Sequence, residues 1–442
     1  MLRNHRGPST PVSTSGGPVS TARRRIVGSH KIMGPNKIVT AAVGILLLAA
    51  TLVGCTPPDV SSLPGRDAPV SDGETASATP TAEPFAATIS VDDKASDVPV
   101  DTLLTVSADS GTITQVKVSG AGTDSKGKKV STTVPGRLGS DGTWKASERL
   151  DPDTKYTVTA TGQPGDGAEA TVTSTFSTAH LSLDEQIYTS IVNQEDSTYG
   201  VAMPVVVIFD LPVTDRKAVE KQLSVKTTPE QTGSWGWVSD TEVHWRPKEY
   251  FTPGTKVTVT ANLNGVDVGG DQYGQNSAET TFVISDKSRI TKVDLKKDVL
   301  TQYVNGKVVA TVPVSGGKPG SETRSGTKVV MEKLAETRMA SETVGIANNS
   351  ADGYDLMVKY AMRITTSGEF LHAAPWNAAY FGNTNASHGC VGMGTADGKE
   401  LFGIIQVGDP VVVTGTSRKL DDGNGYTDWN VSWDEWQSRS AL

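Results

Sequence analysis

The chain has 442 residues and a formal net charge of −8 at pH 7, with 20% charged and 36% hydrophobic residues. Its length exceeds that of one ordinary domain, so we expect two to four domains. Nucleic acid is disfavoured as a partner because the net charge is negative and no basic tract follows residue 37. The 45 glycines and the modest aromatic content of 6% favour turn-rich β structure.

The N-terminal region predicts export from the cytoplasm. Basic residues, including Arg23-Arg24-Arg25 and Lys37, precede an almost wholly apolar segment from Ile38 to Val53. This order is typical of a secretory signal, and the segment is slightly short for a membrane-spanning helix of about 20 residues. We therefore predict a signal peptide over residues 1–54, with Met1 or Met33 as its true start.

Cys55 stands at the end of this signal. It follows Leu52-Val53-Gly54, and the pattern of residues 52–55 resembles a bacterial lipobox, in which the cysteine is lipidated and becomes the first residue of the mature protein. The resemblance implies a lipid anchor in the cell membrane, with the protein on the extracytoplasmic face of the cell envelope. An uncleaved membrane anchor is the alternative. Residues 55–85 are rich in Pro, Ser, Thr, Ala and Asp, which predicts a disordered tether.

An internal repeat with an offset of 101 residues follows the tether. The pattern of residues 151–160 recurs at residues 252–261, and Trp144 and Trp245 keep the same offset. Polar and apolar residues alternate in both copies, as expected for half-buried strands. A repeat of about 100 residues with several short strands fits an immunoglobulin-like sandwich. We therefore predict two such domains, residues 86–180 and 181–286, without the usual disulfide.

These two domains offer little chemistry, and we expect them to hold a catalytic domain away from the membrane. The loop from Asp267 to Asp271 could bind calcium through its carboxylates, although a solvated turn is the simpler interpretation. His180 and His244 have no partners in the sequence and are interpreted as ordinary surface or boundary residues.

A third domain is predicted over residues 287–416, followed by a C-terminal extension over residues 417–442. It begins with two strands and the Asn305-Gly306 hairpin signal, and residues 395–405 suggest a helix before a last strand. In the extension, the spacing of Trp433 and Trp436 predicts a short amphipathic helix that packs on the catalytic domain.

The most distinctive motif of the chain is Ser387-His388-Gly389-Cys390. Cys390 is one of only two cysteines, so the exported protein keeps this thiol without a disulfide partner. A thiol needs a nearby base or positive charge to act as a nucleophile at neutral pH, and His372 and His388 lie close to it in sequence.

His372 lies at the end of a predicted strand, where its imidazole could accept the thiol proton. No acid lies beside it, so we expect a backbone carbonyl, such as that of Ala373, to orient the ring. Backbone N–H groups around Cys390 could bind an oxyanion. A zinc site formed by His372, His388 and Cys390 is one alternative, and a plain packing role is another.

Residues 288–415 resemble the catalytic domain of the L,D-transpeptidases, the YkuD-like family, because a histidine, a spacer and Ser-His-Gly-Cys follow in that order. The repeated domains, the lipobox and the segment from Asp428 to Trp436 resemble the actinobacterial subgroup. The resemblance implies a mainly β protein. Two tandem immunoglobulin-like β-sandwich domains would precede a β-rich YkuD-like catalytic domain with a small C-terminal helical extension.

The resemblance also implies roles for individual residues. Cys390 would be the nucleophile, His372 its base, and His388 a support through hydrogen bonding. No cofactor and no metal are implied. Residues implied to contact substrate or the oxyanion are Tyr354, Ser367, Gly368, Ser387, Gly389, Gly392 and Met339, the last in a loop that forms a lid.

The implied reaction cross-links peptidoglycan stem peptides. The thiolate attacks the carbonyl of the third residue of a tetrapeptide donor, D-alanine leaves, and the diaminopimelate amine of an acceptor stem resolves the acyl-enzyme. Carbapenem-type β-lactams are the implied inhibitors. Two alternatives remain: a carboxypeptidase or endopeptidase that uses water as acceptor, and a catalytically weak lipoprotein that binds the cell wall.

Gly392 departs from the family pattern, which commonly has asparagine two residues after the nucleophile. The absence of asparagine removes a side-chain amide that would orient the donor peptide. We therefore expect Gly392→Asn to raise turnover roughly three- to tenfold, the worth of about one hydrogen bond. A slower variant would instead indicate that glycine is required here.

Overall fold

The computed structural model describes residues 83–123, 127–164, 167–344, 347–350 and 353–442. The signal segment, Cys55 and the tether up to residue 82 lie outside these residues, so the predictions made for them stay predictions. A search of the described part finds no helix both long and apolar enough to span a bilayer.

The first repeat forms two four-stranded sheets, ordered β1-β2-β6-β5 and β4-β3-β7-β8. Their facing sides bury Trp144, Tyr156 and Phe176 in a core of their own. In β7 the alternation of exposed Lys155 with buried Tyr156 and Val158 is the pattern that predicted a half-buried strand. The strands are β1 (Ala86–Ile89), β2 (Thr105–Ser110), β3 (Thr112–Thr123), β4 (Lys129–Thr133), β5 (Gly136–Leu138), β6 (Trp144–Ala146), β7 (Lys155–Gln163) and β8 (Ala170–Ser177).

The second repeat forms a similar pair of sheets, ordered β10-β12-β15-β14 and β11-β19-β16-β13, with a small third sheet ordered β17-β18-β9. Val257, Val259 and Phe282 lie in its core. Its elements are β9 (Gln186–Ile187), β10 (Thr189–Ile191), β11 (Thr198–Tyr199), β12 (Val205–Phe209), α1 (Arg216–Glu220), β13 (Leu223–Thr228), β14 (Gly233–Trp237), β15 (Glu242–Pro247), β16 (Lys256–Ala261), β17 (Asp267–Gly269), β18 (Gln272–Gly274) and β19 (Ala278–Ile284).

The loop from Asp267 to Asp271, considered above for calcium, is the tight turn between β17 and β18. Gly269, Gly270 and Asp271 all have positive φ there, and Asp267 Oδ1 accepts a hydrogen bond from the Gly269 N–H at 2.8 Å. Nowhere in the described residues do three or more His, Cys, Asp or Glu side chains form a group that could hold a metal ion.

The third domain has a five-stranded sheet, ordered β22-β21-β20-β28-β23, and a four-stranded sheet, ordered β24-β25-β26-β27. Leu371 and Val391 of the second sheet and Leu401 of helix α2 share one core with the first sheet. Its elements are β20 (Arg289–Asp294), β21 (Val299–Val304), β22 (Lys307–Pro313), β23 (Gly326–Val329), β24 (Glu332–Ala340), β25 (Asp355–Arg363), β26 (Phe370–Ala373), β27 (Val391–Met393), α2 (Thr395–Ile404) and β28 (Pro410–Thr414). The predicted fold class is confirmed.

The C-terminal extension contacts both the second sandwich and the catalytic domain. Its helix α3 (Trp433–Gln437) packs on β14 of the sandwich, where Trp436 is fully buried and its Nε1 donates to the Ser234 carbonyl at 3.0 Å. Asn430 instead pairs with Thr327 of β23, through Oδ1 at 2.7 Å and Nδ2 at 2.6 Å. The prediction that the helical part packs on the catalytic domain is therefore wrong for α3.

Arg246 of β15 explains why the helix turns to the sandwich. Its guanidinium lies 4.7, 5.3 and 5.0 Å from the ring centroids of Trp429, Trp433 and Trp436, and the residue is only 2% exposed. A desolvated cation–π contact contributes about 2 kcal/mol. Three aromatic faces around one buried cation therefore stabilise the extension on the sandwich.

His244 is a second contact between these parts, and its interpretation as an ordinary boundary residue is wrong. It is buried, with Nδ1 2.7 Å from Asp428 Oδ1 and Nε2 2.7 Å from Glu242 Oε1. Burial alone would lower the pKa of His244, but the two carboxylates raise it to about 9. The ring is thus a buried imidazolium that joins β15 to the extension.

Candidate active site

The catalytic candidates meet because β26 and β27 pair in parallel. Leu371 pairs with Val391 and His372 with Gly392, and Cys390 immediately precedes β27. Paired residues of neighbouring strands carry their side chains on the same face. The spacer between His372 and Cys390 therefore forms a crossover that returns the chain beside the histidine, as the sequence predicted.

His372 is oriented by a backbone carbonyl. Its Nδ1 lies 2.8 Å from the Ala373 carbonyl oxygen, which can only accept, so Nδ1 carries the proton and Nε2 keeps a lone pair. Burial lowers the pKa of His372, and the hydrogen bond to Ala373 partly offsets this. The ring is thus a neutral base at pH 7, and the expectation of Ala373 as orienting partner is met.

Cys390 packs beside a small apolar cluster of Val358, Ala361 and Phe370. Burial is the main cause that raises the pKa of its thiol to about 11. The backbone N–H of Phe370 lowers this pKa, and the Glu369 carboxylate raises it further. The residue keeps partial exposure to the cavity, so water that enters works against this rise. Its Sγ lies 3.7 Å from the Gly368 carbonyl oxygen, within reach of a weak S–H donor. The resting thiol is therefore neutral.

Ser387 and Gly389 shape the turn that presents the thiol. Ser387 Oγ donates to the Cys390 carbonyl at 2.6 Å and accepts from the Gly389 N–H at 3.1 Å. Gly389 has a φ of +124°, a backbone conformation that favours glycine. Because its N–H is bonded to Ser387, Gly389 is not an open oxyanion donor in this structure.

Two cavities meet at Cys390, Tyr354 and His388. The cavity that also contains His372 in its wall, which we call the inner cavity, has a volume of about 270 Å³ and a mainly apolar lining. The cavity bounded by Ser367 and Gly368, which we call the outer cavity, has a volume of about 330 Å³ and a more polar lining. The inner lining also includes Met339, Leu356, Val358, His372, Ala374, Trp376, Ser387 and Gly392, and the outer lining includes Ser321, Arg324, Thr343, Ser367, Gly368, Glu369 and Arg418.

The remaining residues predicted for the site also line these cavities. The rings of Tyr354 and His388 have centroids 5.3 Å apart, and burial, followed by the charge of the Cys390 thiolate, raises the pKa of Tyr354. Ser367 and Gly368 form the outer wall. Met339 lies on strand β24 and not in a loop, so its predicted place is wrong although it lines the inner cavity.

Sequence reasoning missed several residues of the site. Trp376 follows Pro375 in a 3₁₀ turn, stacks 6.0 Å from the His372 ring centroid and is 52% exposed. Next to Gly368 in the chain, the Glu369 carboxylate forms ion pairs with Lys328 and with Arg324 Nη1. An exposed aromatic next to a candidate base was a usable signal for Trp376, whereas the buried ion pairs join residues far apart in sequence.

Gly392 faces the inner cavity next to His372. A Cβ at this position would lie 2.9 Å from the Cβ of Ala374, closer than real Cβ atoms come, and the Ala374 methyl group is not the end of a flexible side chain. The Gly392 N–H donates to the Ser315 carbonyl at 2.9 Å, and the Gly392 carbonyl accepts from the Ser315 N–H at 3.0 Å. The backbone of Gly392 therefore has little freedom to move. This geometry contradicts the expectation that asparagine would be an improvement here.

Comparisons with known proteins agree with this architecture. The L,D-transpeptidase catalytic domain model, YkuD, matches residues 288–413, and a bacterial Ig domain model matches residues 95–267. L,D-transpeptidase 2 of Mycobacterium tuberculosis is 35% identical over 359 residues, which cover 80% of this chain and 84% of that protein. The chain belongs to the L,D-transpeptidase family.

Two solved structures are also similar. The LD transpeptidase LdtMt1 in complex with imipenem is 36% identical, and the match covers 51% of this chain and 97% of that one, with a TM-score of 0.45. L,D-transpeptidase 3 from Mycobacterium tuberculosis in complex with a faropenem-derived adduct is 29% identical, with 51% and 97% covered and a TM-score of 0.43.

The neutral resting thiol makes a prediction for alkylation. The rate of reaction of Cys390 with iodoacetamide should still be rising at pH 9.5, because only the thiolate reacts and the raised pKa of about 11 keeps its fraction small. Peptide-level mass spectrometry separates Cys390 from Cys55, and denatured protein, with an ordinary thiol pKa of about 8.5, is the control. A rate that is already constant from pH 6 upward would reveal a preformed thiolate–imidazolium pair and contradict this description.

Crowding at Gly392 makes a second prediction. Gly392→Asn alone should lower turnover of a tetrapeptide donor and the melting temperature, since overpacking costs about 1–3 kcal/mol. Adding Ala374→Gly removes the Cβ in conflict and should recover part of both losses. Ala374→Gly by itself is the matched control. A Gly392→Asn protein with unchanged melting temperature and faster turnover would restore the original expectation.

Proposed function

We propose that this protein is a cysteine L,D-transpeptidase that links the third residues of two peptidoglycan stem peptides. The observation that carries the proposal is the position of Cys390 at the junction of two cavities, the inner one with His372 in its wall. A transferase must bring two different substrates to one nucleophile, and the two cavities offer separate approaches to it.

The first step is acylation of Cys390. The sulfur attacks the carbonyl carbon of the third stem residue while His372 Nε2 takes the thiol proton. The amide C–N bond then breaks, the proton passes from His372 to the leaving nitrogen, and D-alanine departs as a neutral amine. The Nδ1 hydrogen bond to Ala373 supports this role because it leaves Nε2 free to accept.

The second step releases the cross-linked product. The diaminopimelate amine of an acceptor stem attacks the thioester carbonyl, gives up a proton to His372, and displaces the sulfur, which regains a proton. Tyr354 is suited to stabilise the oxyanion in both steps. Its raised pKa keeps the hydroxyl protonated, and the residue lines both cavities next to the thiol.

Hydrolysis is the second candidate function, since a water molecule could replace the acceptor amine and give a carboxypeptidase or endopeptidase. The outer cavity, of about 330 Å³, supports a transferase because it offers room beside the thiol for an acceptor stem. A catalytically weak wall-binding protein is disfavoured by the ordered base, tyrosine and thiol. A thiol with a base beside it should also be acylated by carbapenem-type β-lactams, which we include in the proposal.

We also propose that Cys55 anchors the protein by lipid on the extracytoplasmic face of the cell membrane. The support is the order of basic, apolar and Leu-Val-Gly-Cys segments in residues 23–55. The catalytic domain would then act at the cell wall, where peptidoglycan stems are found.

Replacement of the nucleophile tests the proposed reaction. With a disaccharide-tetrapeptide, wild-type protein should give a dimer that has lost one D-alanine, and Cys390→Ala should slow its formation by roughly 10⁴-fold or more. Cys390→Ser keeps the size of the side chain and controls for packing. Mass spectrometry of the products decides among the candidates: a tripeptide would indicate a hydrolase, and unchanged substrate a binding protein. Near-normal dimer formation by folded Cys390→Ala would overturn the proposal.

Metabolic labelling tests the anchor. A fatty-acid analogue fed to producing cells should label the wild-type protein and spare Cys55→Ala, because no other cysteine lies near the signal. Cys390→Ala is the matched control, since it removes the other cysteine and should label normally. Equal labelling of wild type and Cys55→Ala would rule out a lipid at this residue.

A further inference from the structure

The segment Thr365–Glu369 connects β25 to β26, and we call it the thiol-facing turn. Gly368 has a φ of +95° in it, and its carbonyl oxygen is the acceptor 3.7 Å from Cys390 Sγ. The turn is also part of the outer cavity wall. The turn therefore supplies both an acceptor for the thiol and part of the wall of the outer cavity.

Asn424 of the C-terminal extension holds this turn with its whole side-chain amide. Its Oδ1 accepts from the Ser367 N–H at 2.9 Å and from Thr366 Oγ1 at 3.0 Å, and its Nδ2 donates to Ser367 Oγ at 3.0 Å. These three bonds join residues 57 or 58 positions apart in the chain. Asn424 thus fixes the two residues that directly precede Gly368.

The extension is shaped to make this contact. Asn424 lies between Gly423 and Gly425, which have φ values of +73° and +92°. A Cβ at Gly425 would lie 3.3 Å from the Thr365 Cα and 3.1 Å from Met331 Sδ, so glycine lets the two backbones approach closely. The Gly-Asn-Gly loop therefore brings the amide against the thiol-facing turn.

We propose that Asn424 is a positioning residue for the Cys390 nucleophile, acting by fixing the thiol-facing turn so that the Gly368 carbonyl holds the thiol at the junction of the two cavities. This deepens the proposed function, since it concerns the same nucleophile. Asn424 reaches the reaction only through Ser367 and Gly368.

Replacement of Asn424 removes no charged group near the thiol. Glu369, Lys328 and Arg363 act electrostatically on Cys390, and Tyr354, His372 and His388 surround it. On the extension, Arg418 lines the outer cavity and Asp421 pairs with Arg324 at 2.9 Å. Replacing Asn424 with alanine removes none of these groups, so any change in thiol reactivity arises from displacement of the thiol-facing turn, including the Glu369 that it carries.

The test compares Asn424→Ala with Asn430→Ala in the full chain. Asn430 also joins the extension to the catalytic domain by two side-chain hydrogen bonds, but to Thr327 and not to the thiol-facing turn. Asn424→Ala should lower kcat for dimer formation roughly tenfold, the worth of one to two hydrogen bonds. It should also move the midpoint of the alkylation pH profile of Cys390 to lower pH, because the neutral thiol loses its acceptor.

Asn430→Ala should lower the melting temperature without moving that midpoint. Asn424→Asp keeps an acceptor oxygen for Ser367 and Thr366 and should keep the midpoint at or above that of wild type. Wild-type kcat and midpoint in Asn424→Ala, or the same shift in Asn430→Ala, would overturn the proposal. If wild type makes no dimer but the alkylation midpoint still moves in Asn424→Ala alone, the proposed function fails and the positioning role stands.

Discussion

The parallel pairing of β26 with β27 is the constraint on which the candidate site depends. One register, Leu371 with Val391 and His372 with Gly392, places the base beside the residue that follows the nucleophile. A shift by one residue would turn the histidine to the opposite face of the sheet. The same register requires a very small residue at position 392, because a side chain there would share the face with His372 and meet Ala374. The pairing of the two strands therefore fixes the relative positions of His372, Cys390 and Gly392, independently of their charges.

Buried charged residues connect this sheet and its neighbouring elements. Lys328 and Glu369 are 1% and 3% exposed, and such a pair is costly to desolvate unless its hydrogen bonds are complete. Glu369 meets this condition: one carboxylate oxygen receives Lys328 and the other receives the backbone N–H and the guanidinium of Arg324. Arg246, between three tryptophans, and His244, between two carboxylates, are buried cations at the junction with the second sandwich. Glu369, Arg246 and His244 are thus each buried charges on which several groups converge, and these contacts join the parts that they hold.

The sequence could predict what depends on local pattern. Strand alternation, the Asn305-Gly306 turn and the Ser-His-Gly-Cys motif all have short-range signals, and the Ala373 carbonyl was expected because no acid lies beside His372. The contacts missed join distant positions: Lys328 to Glu369 across 41 residues, Ser367 to Asn424 across 57, and His244 to Asp428 across 184. The place of α3 was missed for the same reason, since the cation that attracts its tryptophans lies in another domain. The conflict at Gly392 is of a different kind, because the family pattern concerns the type of residue while the space available for it is set by Ala374.

The electrostatics of the site indicate how its chemistry must proceed. The raised pKa of the Cys390 thiol disfavours the thiolate at pH 7, and the lowered pKa of His372 disfavours an imidazolium partner. A preformed ion pair is therefore disfavoured, and in the proposed reaction the attack on the carbonyl is coupled to proton transfer. Coupled transfer depends steeply on alignment, so catalysis here relies on the position of the thiol more than on its charge. Two groups that are not consumed in the proposed reaction therefore bear on it: Ser387, which fixes the turn that carries Cys390, and Asn424, which we propose acts through the thiol-facing turn.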